Sequence, residues 1–144
     1  MDEADIAYRC EAGWFCPYRH DRVRWLDIHD DFEILQNFHN ARQHEVRYTV
    51  ADAIKWKESG FRDAGLVENG MLVARAALWT HSEDEWELAG VFTIPEARGR
   101  GLARSVCTFV TTAILEAGRV ATCHTQPSNQ AMRRVVETLG YRRT

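Results

Sequence analysis

Apolar positions along this chain alternate in some stretches and recur every three or four residues in others, and each switch of period marks an element. Val23-Arg24-Trp25-Leu26-Asp27-Ile28 alternates as a half-buried strand. Asp30 or Asp31 then offers a cap for a helix carrying Phe32, Leu35 and Phe38 on one face. A second helix is predicted over residues 49–59, ending at Gly60, with Val50, Ala53, Ile54 and Trp56 as its apolar members. Gly65-Leu66-Val67-Glu68 and the run from Met71 to Trp79 flank Asn69-Gly70, the pair that best supplies the two positive φ angles of a type I′ hairpin turn. A turn from His81 to Glu85 leads to a further strand, Trp86 to Thr93, so three antiparallel strands follow one another. Leu102, Val106, Phe109, Val110, Ala113, Ile114 and Ala117 then make a helical stripe closed by Gly118. The strand after it, Val120 to Thr125, must run parallel to the one before it, because a helical crossover returns the chain in the same direction. Pro127-Ser128-Asn129 caps a last helix with Met132, Val135, Val136 and Leu139 inward, closed by Gly140. The sum is an α+β fold: a mixed, mostly antiparallel sheet with one parallel junction and helices on both faces. Residues 1–20 show no sustained period and carry Gly13 and Pro17, so they form an irregular or strand-containing lead-in to a domain over residues 21–144.

The densest chemical signal sits between the third antiparallel strand and the long helix. Val91-Phe92-Thr93-Ile94-Pro95-Glu96-Ala97-Arg98-Gly99-Arg100-Gly101-Leu102-Ala103 runs from an apolar strand through a proline-broken, glycine-paired turn into the helix. The glycines let the backbone approach a ligand, and the first-turn N–H groups point outward toward negative charge. A P-loop would need Lys and Ser or Thr where Leu102 and Ala103 stand. A dinucleotide fingerprint would need glycine at Arg104 and an acid ending a second strand, whereas Glu116 lies inside the helix. Arg98, Arg100 and Arg104 place three cations at a helix N-terminus, where the dipole disfavours them unless an anion is bound.

Length and composition narrow the setting. The 144 residues suffice for one buried core, and 45% hydrophobic with 27% charged residues is the make-up of an ordinary globular domain. A net charge of -3 gives no general attraction to nucleic acid or anionic membrane, so phosphate binding must be local. With no apolar run of membrane-spanning length, and Met1-Asp2-Glu3-Ala4-Asp5 too acidic for a signal peptide, the expectation is a cytoplasmic protein with no membrane or nucleic-acid partner. Cys10, Cys16, Cys107 and Cys123 read as free thiols. Cys10, Cys16 and His20 lack structural zinc spacing and a fourth ligand, so no metal is expected.

The loop resembles the acyl-coenzyme A signature of the GNAT superfamily of N-acetyltransferases, with Arg98, Gly101 and Ala103 at the pattern's defining positions. A second stretch matches at the family's spacing: Asn129 leads a helix that ends in Leu139-Gly140-Tyr141. The resemblance spans about residues 22 to 141 and implies acetyl-CoA as cosubstrate. Its pyrophosphate would lie on Gly99, Arg100, Gly101, Leu102, Ala103 and Arg104, and its pantetheine arm along Val91, Phe92 and Thr93 with a contact from Asn129. Two departures stand out. Val136 occupies the position at which many members carry the tyrosine that protonates the departing sulfur, and only Tyr141-Arg142-Arg143-Thr144 follow Gly140, where the family continues through one or two strands. Residues 1–20, a homodimer partner or simple curtailment must account for the sheet edge this leaves.

Acyl transfer to an amine requires a neutral nucleophile. A lysine-type amine is neutral at pH 7 in only about one molecule in 2,500, so a base matters most for that class. Glu85 and Glu87, two apart on the strand leading to the loop, share a face and are the candidate bases; the alternative for the run Glu83-Asp84-Glu85-x-Glu87 is a solvated acidic turn, a negative patch that would still suit a cationic amine. His124 and Cys123 are candidate stand-ins for the missing acid, on opposite faces of their strand. The expected activity is transfer of an acetyl or other acyl group from coenzyme A to a small-molecule or peptide amine by direct attack in a ternary complex. A non-catalytic acyl-CoA-binding module and an interaction domain with an empty loop remain the alternatives.

Overall fold

The computed structural model describes residues 4–42 and 47–144, so the Met1 to Glu3 part of the signal-peptide argument lies outside the described residues. In chain order the elements are β1 (Ile6–Cys10), β2 (Arg24–Trp25), α1 (Phe32–Arg42), α2 (Val50–Glu58), β3 (Phe61–Glu68), β4 (Met71–Trp79), β5 (Glu85–Thr93), α3 (Leu102–Glu116), β6 (Val120–Thr125), α4 (Gln130–Thr138) and β7 (Arg142–Arg143). They form one seven-stranded sheet in the order β2-β3-β4-β5-β6-β1-β7. Only β5 and β6 are parallel, which is the mixed α+β architecture expected from the pattern.

Residues 6–10 supply a strand that pairs antiparallel with β6 on one side and with β7 on the other. Ile6, Tyr8 and Cys10 turn into the core from it. The edge left open by the short C-terminus is thus occupied by the chain's own start. From β1 the chain straps over the helices: the Cys16 N–H bonds to the Leu139 carbonyl at 2.8 Å and the Tyr18 N–H to Thr108 Oγ1 at 3.2 Å.

The strand read over residues 23–28 is shorter than its alternation suggested. Asp27 ends it, because its Oδ1 accepts the N–H groups of His29 and Asp30, each at 2.8 Å, and turns the chain toward α1. Asp31 stands just before α1 and its carbonyl takes the Leu35 N–H at 3.1 Å, but its carboxylate holds Arg24 at 3.0 Å through both oxygens instead of bonding the first turn. In α2, Thr49 and Asp52 form a capping box and Ala53 is buried, but Val50, Ile54 and Trp56 are 50%, 39% and 53% exposed. Those four apolar residues spread round more of this nine-residue helix than the sheet covers.

Two bulges determine which side chains reach which face. One lies between Leu66 and Val67 opposite β4, the other between β4 and β5 at Gly90 and Val91. Between them, Ala74, Ala76 and Leu78 of β4 and Leu88 of β5 face α3, whose Val106, Val110 and Ile114 are fully buried against them. Arg75, Ala77 and Trp79 face the other way, toward the side covered by α1 and α2. There a smaller core gathers Leu26, Leu35, Phe38, Tyr48, Ala53 and Leu72, with Phe92 packed onto it.

Candidate active site

The loop is built as its sequence implies. After β5 a proline-led 3-10 turn, Pro95–Ala97, hands the chain to Arg98, and Gly99 and Gly101 adopt φ of 82° and 79°. Gly101 is the N-cap of α3 and brings no side chain to the first-turn N–H groups, which therefore stay open to a ligand. A Cβ on Gly99 would meet no atom within 4 Å, so that side of the cradle is clear. A Cβ on Gly101 would stand 2.7 Å from the Tyr18 hydroxyl, so this glycine makes room for the N-terminal strap as well as for any ligand.

The arginines do not act as one cluster. Arg98 donates from Nε to the Thr93 carbonyl at 3.1 Å and lies near the Phe92 ring. Arg104 lies over the Tyr18 ring at 4.3 Å. Arg100 turns away to Glu68 on β3, with contacts of 2.9 and 2.6 Å, and Glu68 also holds Arg22. Hydrogen bonds from Arg100 first and Arg22 second pull the Glu68 carboxyl down to about 2. The inference that all three cations need an external anion is therefore corrected: the chain itself answers Arg100. Leu102 is buried, so it offers a ligand only its backbone, while Ala103 is half-buried.

The parallel junction is short. Glu85 pairs with Val120, Trp86 with Ala121 and Glu87 with Thr122; past that vertex β5 and β6 part, leaving the facing edge of β5 from Leu88 onward without a ladder. Val91, Phe92 and Thr93 lie on this opened length, each partly buried, and Thr93 Oγ1 is buried with no partner among the described residues. Asn129 is the N-cap of α4 and accepts the Met132 N–H at 3.1 Å, which commits its carbonyl to the helix.

At the vertex, Glu87 Oε1 lies 2.8 Å from His124 Nδ1 and accepts a 3.3 Å hydrogen bond from Thr122. Glu87 is mostly shielded, at 14% side-chain exposure, while His124 keeps 48% and an open ring edge. Glu85 starts β5 exposed and has no ion-pair partner among the described residues, so the two glutamates, one face in the sequence, have unlike surroundings. Cys123 is 1% exposed in the core, and desolvation first, then Glu87, pushes its thiol up to about 12. It is no partner for a ligand. Val136 is fully buried in the same core, as its inward place on the last helix implied, so an enclosed apolar side chain stands where many family members carry the tyrosine. Tyr141 is buried too, its hydroxyl 2.7 Å from Thr111.

Sequence reasoning missed a cavity of about 480 Å³ on the α1 and α2 face, beside the β5 bulge, whose walls include Arg42, Tyr48, Trp56, Phe61, Arg75 and Gly90. Arg75 organises it. Its Nε and second amino group contact Asp63 Oδ1 at 2.8 and 2.7 Å, and its first amino group donates to the Gly90 carbonyl at 3.1 Å. The arginine fills the place a Cβ on Gly90 would take, so the bulge, the ion pair and the cavity wall are one construction. The cavity and the dyad share a face, since Ala77, a wall residue, opposes Ala89, and Trp79, two residues on, opposes Glu87. No sequence signal links residues so scattered. Among the described residues no group of His, Cys, Asp and Glu could hold a metal, and no helix is long and apolar enough to cross a membrane.

Strand order, the bulged β5, the splayed parallel junction and the glycine loop on α3 together define the fold of the GNAT acetyltransferases. Residues 63–144 match the family described as FR47-like protein, and the chain belongs to that family within the GNAT superfamily. It is similar over its full length to a protein from Novosphingobium aromaticivorans assigned to the GNAT family, at 26% identity and a TM-score of 0.76, covering 61% of that chain. A GNAT-family acetyltransferase from Colwellia psychrerythraea superposes on 99% of this chain and 55% of its own at 16% identity, with a TM-score of 0.78. AAC(6')-Iy, solved with the bisubstrate analogue CoA-S-monomethyl-acetylneamine, matches 83% of this chain and 89% of its own at 17% identity and a TM-score of 0.67. The chain thus spans between half and two thirds of the first two relatives. No curated protein matches it in sequence.

Proposed function

We propose that this chain transfers an acetyl group from acetyl-CoA to a primary amine, the amine attacking directly while both substrates are bound. The observation that carries the reading is the Glu87–His124 pair at the vertex of the splayed strands, on the same face as the cavity and at the far end of β5 from the glycine loop.

The residues present fit coenzyme A. The open N–H groups of the α3 first turn, the clear space over Gly99 and the Thr93 hydroxyl, unpartnered among the described residues, support this reading. Arg98 and Arg104 flank the loop that takes the coenzyme's phosphates, and the free edge of β5 at Val91 and Phe92 offers backbone groups to the pantetheine amides. Bound there, acetyl-CoA supplies the thioester that is cleaved. Glu87 holds His124 by Nδ1, which leaves Nε2 as the free ring nitrogen to accept the proton of the incoming amine. Glu85 is the alternative base from the same strand.

Kinetics with an amine panel, read as release of the coenzyme A thiol, test this. His124→Gln and Glu87→Gln should each lower turnover at neutral pH by about 10²-fold, with partial recovery at higher pH where the amine deprotonates unaided. Glu85→Gln should leave the pH profile unchanged. A profile altered by Glu85→Gln and untouched by the other two would transfer the base to Glu85. The buried Val136, where a phenol would have served the sulfur, favours a second reading, a coenzyme-binding module without turnover. Tight coenzyme A binding with no product from any amine would select it.

A further inference from the structure

Among the described residues, the charges around the cavity do not balance. Its described walls carry Arg42, Arg47 and Arg75 against Asp52 and Asp63. Both acids are already engaged: Asp63 is bound to Arg75, and Asp52 Oδ2 accepts the Thr49 N–H at 2.9 Å and hydroxyl at 3.0 Å in the cap of α2. Among the described residues no carboxylate lies within ion-pair distance of Arg42 or Arg47. Arg42 instead lies over the Phe92 ring at 4.0 Å and near Phe38 at 5.4 Å, contacts that use the face of its guanidinium, and among the described residues its N–H donors meet no hydrogen-bond acceptor.

The neighbourhood registers the excess. His39 on the cavity wall is pushed down to about 4, by desolvation first and by the Arg75 charge second. The same two causes lower the Arg42 guanidinium. Opposite the arginines the wall is aromatic. Trp56 packs edge-on against Phe61 and Phe61 stacks on Trp79, each at 5.0 Å between ring centres, and Trp56 keeps half its surface exposed at the mouth.

Resting on the proposed acyl transfer to an amine, we infer that this cavity, on the same face as the Glu87–His124 pair, takes the acceptor, and that the acceptor is an amine that also bears an oxyanion, carboxylate or phosphate, held by Arg42 and Arg47, with any apolar body against Tyr48, Trp56 and Phe61. A polyamine or the lysine of a basic peptide is the class the cavity repels. The acidic turn at Glu83 and Asp84, which from sequence suggested a cationic substrate, contributes no residue to its walls.

Calorimetry on the coenzyme A complex tests this without requiring turnover. The ligands are matched pairs: phenylalanine against phenethylamine, and O-phosphoethanolamine against ethanolamine, with spermidine as the cationic control. The oxyanion-bearing member of at least one pair should bind about tenfold or more tightly than its partner, the pair that responds identifying carboxylate or phosphate. Arg42→Gln and Arg47→Gln should each reduce that preference and Arg42→Lys should restore part of it, with unchanged coenzyme A affinity as the check on folding. Equal binding within both pairs, tighter binding of phenethylamine or spermidine, or no binding by any of the five would overturn the inference. Selective binding with no acetylated product would leave the anion selectivity standing and defeat the acyltransferase reading instead.

Discussion

The glycine-loop end of the molecule draws its backbone from one unbroken stretch, residues 91–104, while the cavity end takes its walls from α1, α2, β3, β4 and β5. At the first end the geometry is local: a strand stops at a proline, two glycines take positive φ, and the helix that follows points its first N–H groups outward. At the second it is cooperative, since Arg75 joins Asp63 on β3 to the Gly90 carbonyl on β5 and nothing near it in sequence announces that role. The first kind of site survives changes elsewhere in the domain. The second depends on several elements being docked at once.

The largest expected effect attacks the cavity end. Arg75 and Asp63 keep only 15% and 13% of their side-chain surface, so Arg75→Ala leaves a shielded carboxylate unpaired and should cost about 3 kcal/mol in denaturant unfolding. Adding Asp63→Ala should return part of that loss. A single variant as stable as the parent would mean that the wall does not depend on this pair.

Next comes the shared core beneath both ends. Val136→Tyr inserts a ring into a fully buried position and should lower stability by about 1–3 kcal/mol, seen as a lower melting temperature with no gain in turnover. Faster turnover in a folded variant would show instead that the position opens on the thioester.

At the glycine-loop end the expected effect is smaller and falls on coenzyme A binding. Gly99→Ala and Gly101→Ala each force a residue with a Cβ into positive φ, at about 1 kcal/mol. Only Gly101→Ala also displaces the Tyr18 hydroxyl, so Tyr18→Ala should relieve that variant and not the other. Coenzyme A affinity measured for the four proteins separates the strap from the cradle. Equal relief of both variants would remove the special link between Gly101 and Tyr18.

The last effect, absent at neutral pH, is a pH dependence at the cavity end. His39 falls to about 4 in the folded protein against an ordinary value of 6.5, so the unfolded chain binds more protons between those pH values. Its contribution to stability is complete above about pH 6.5 and is lost as the pH falls toward 4. His39→Phe should flatten unfolding midpoints across that window, whereas a variant with the parent's slope would assign the acid sensitivity to other groups.

How much of this was legible in the sequence follows from the same contrast. The loop and the caps could be read because neighbours in sequence are neighbours in space: Asn69 and Gly70 both take positive φ in their hairpin turn, and Asn129 caps α4 with its own side chain. The Glu87–His124 pair was half legible, since both residues stood out as candidates while their contact awaited the register of β5 against β6. Val136 was legible as an inward residue because spacing along a helix gives its rotation, while what packs on that side came only from the fold.

The sequence by itself determined the order of elements from β2 to α4, the parallel junction forced by the α3 crossover and the glycine loop, because periodicity and backbone conformation act over a few residues. Tertiary structure alone decided that residues 6–10 close the sheet beside β6, that Glu68 answers Arg100, and that Arg75 holds the bulge against the cavity. Each of those joins residues far apart in the chain, and a pairing of that kind is selected by the packing of the whole sheet.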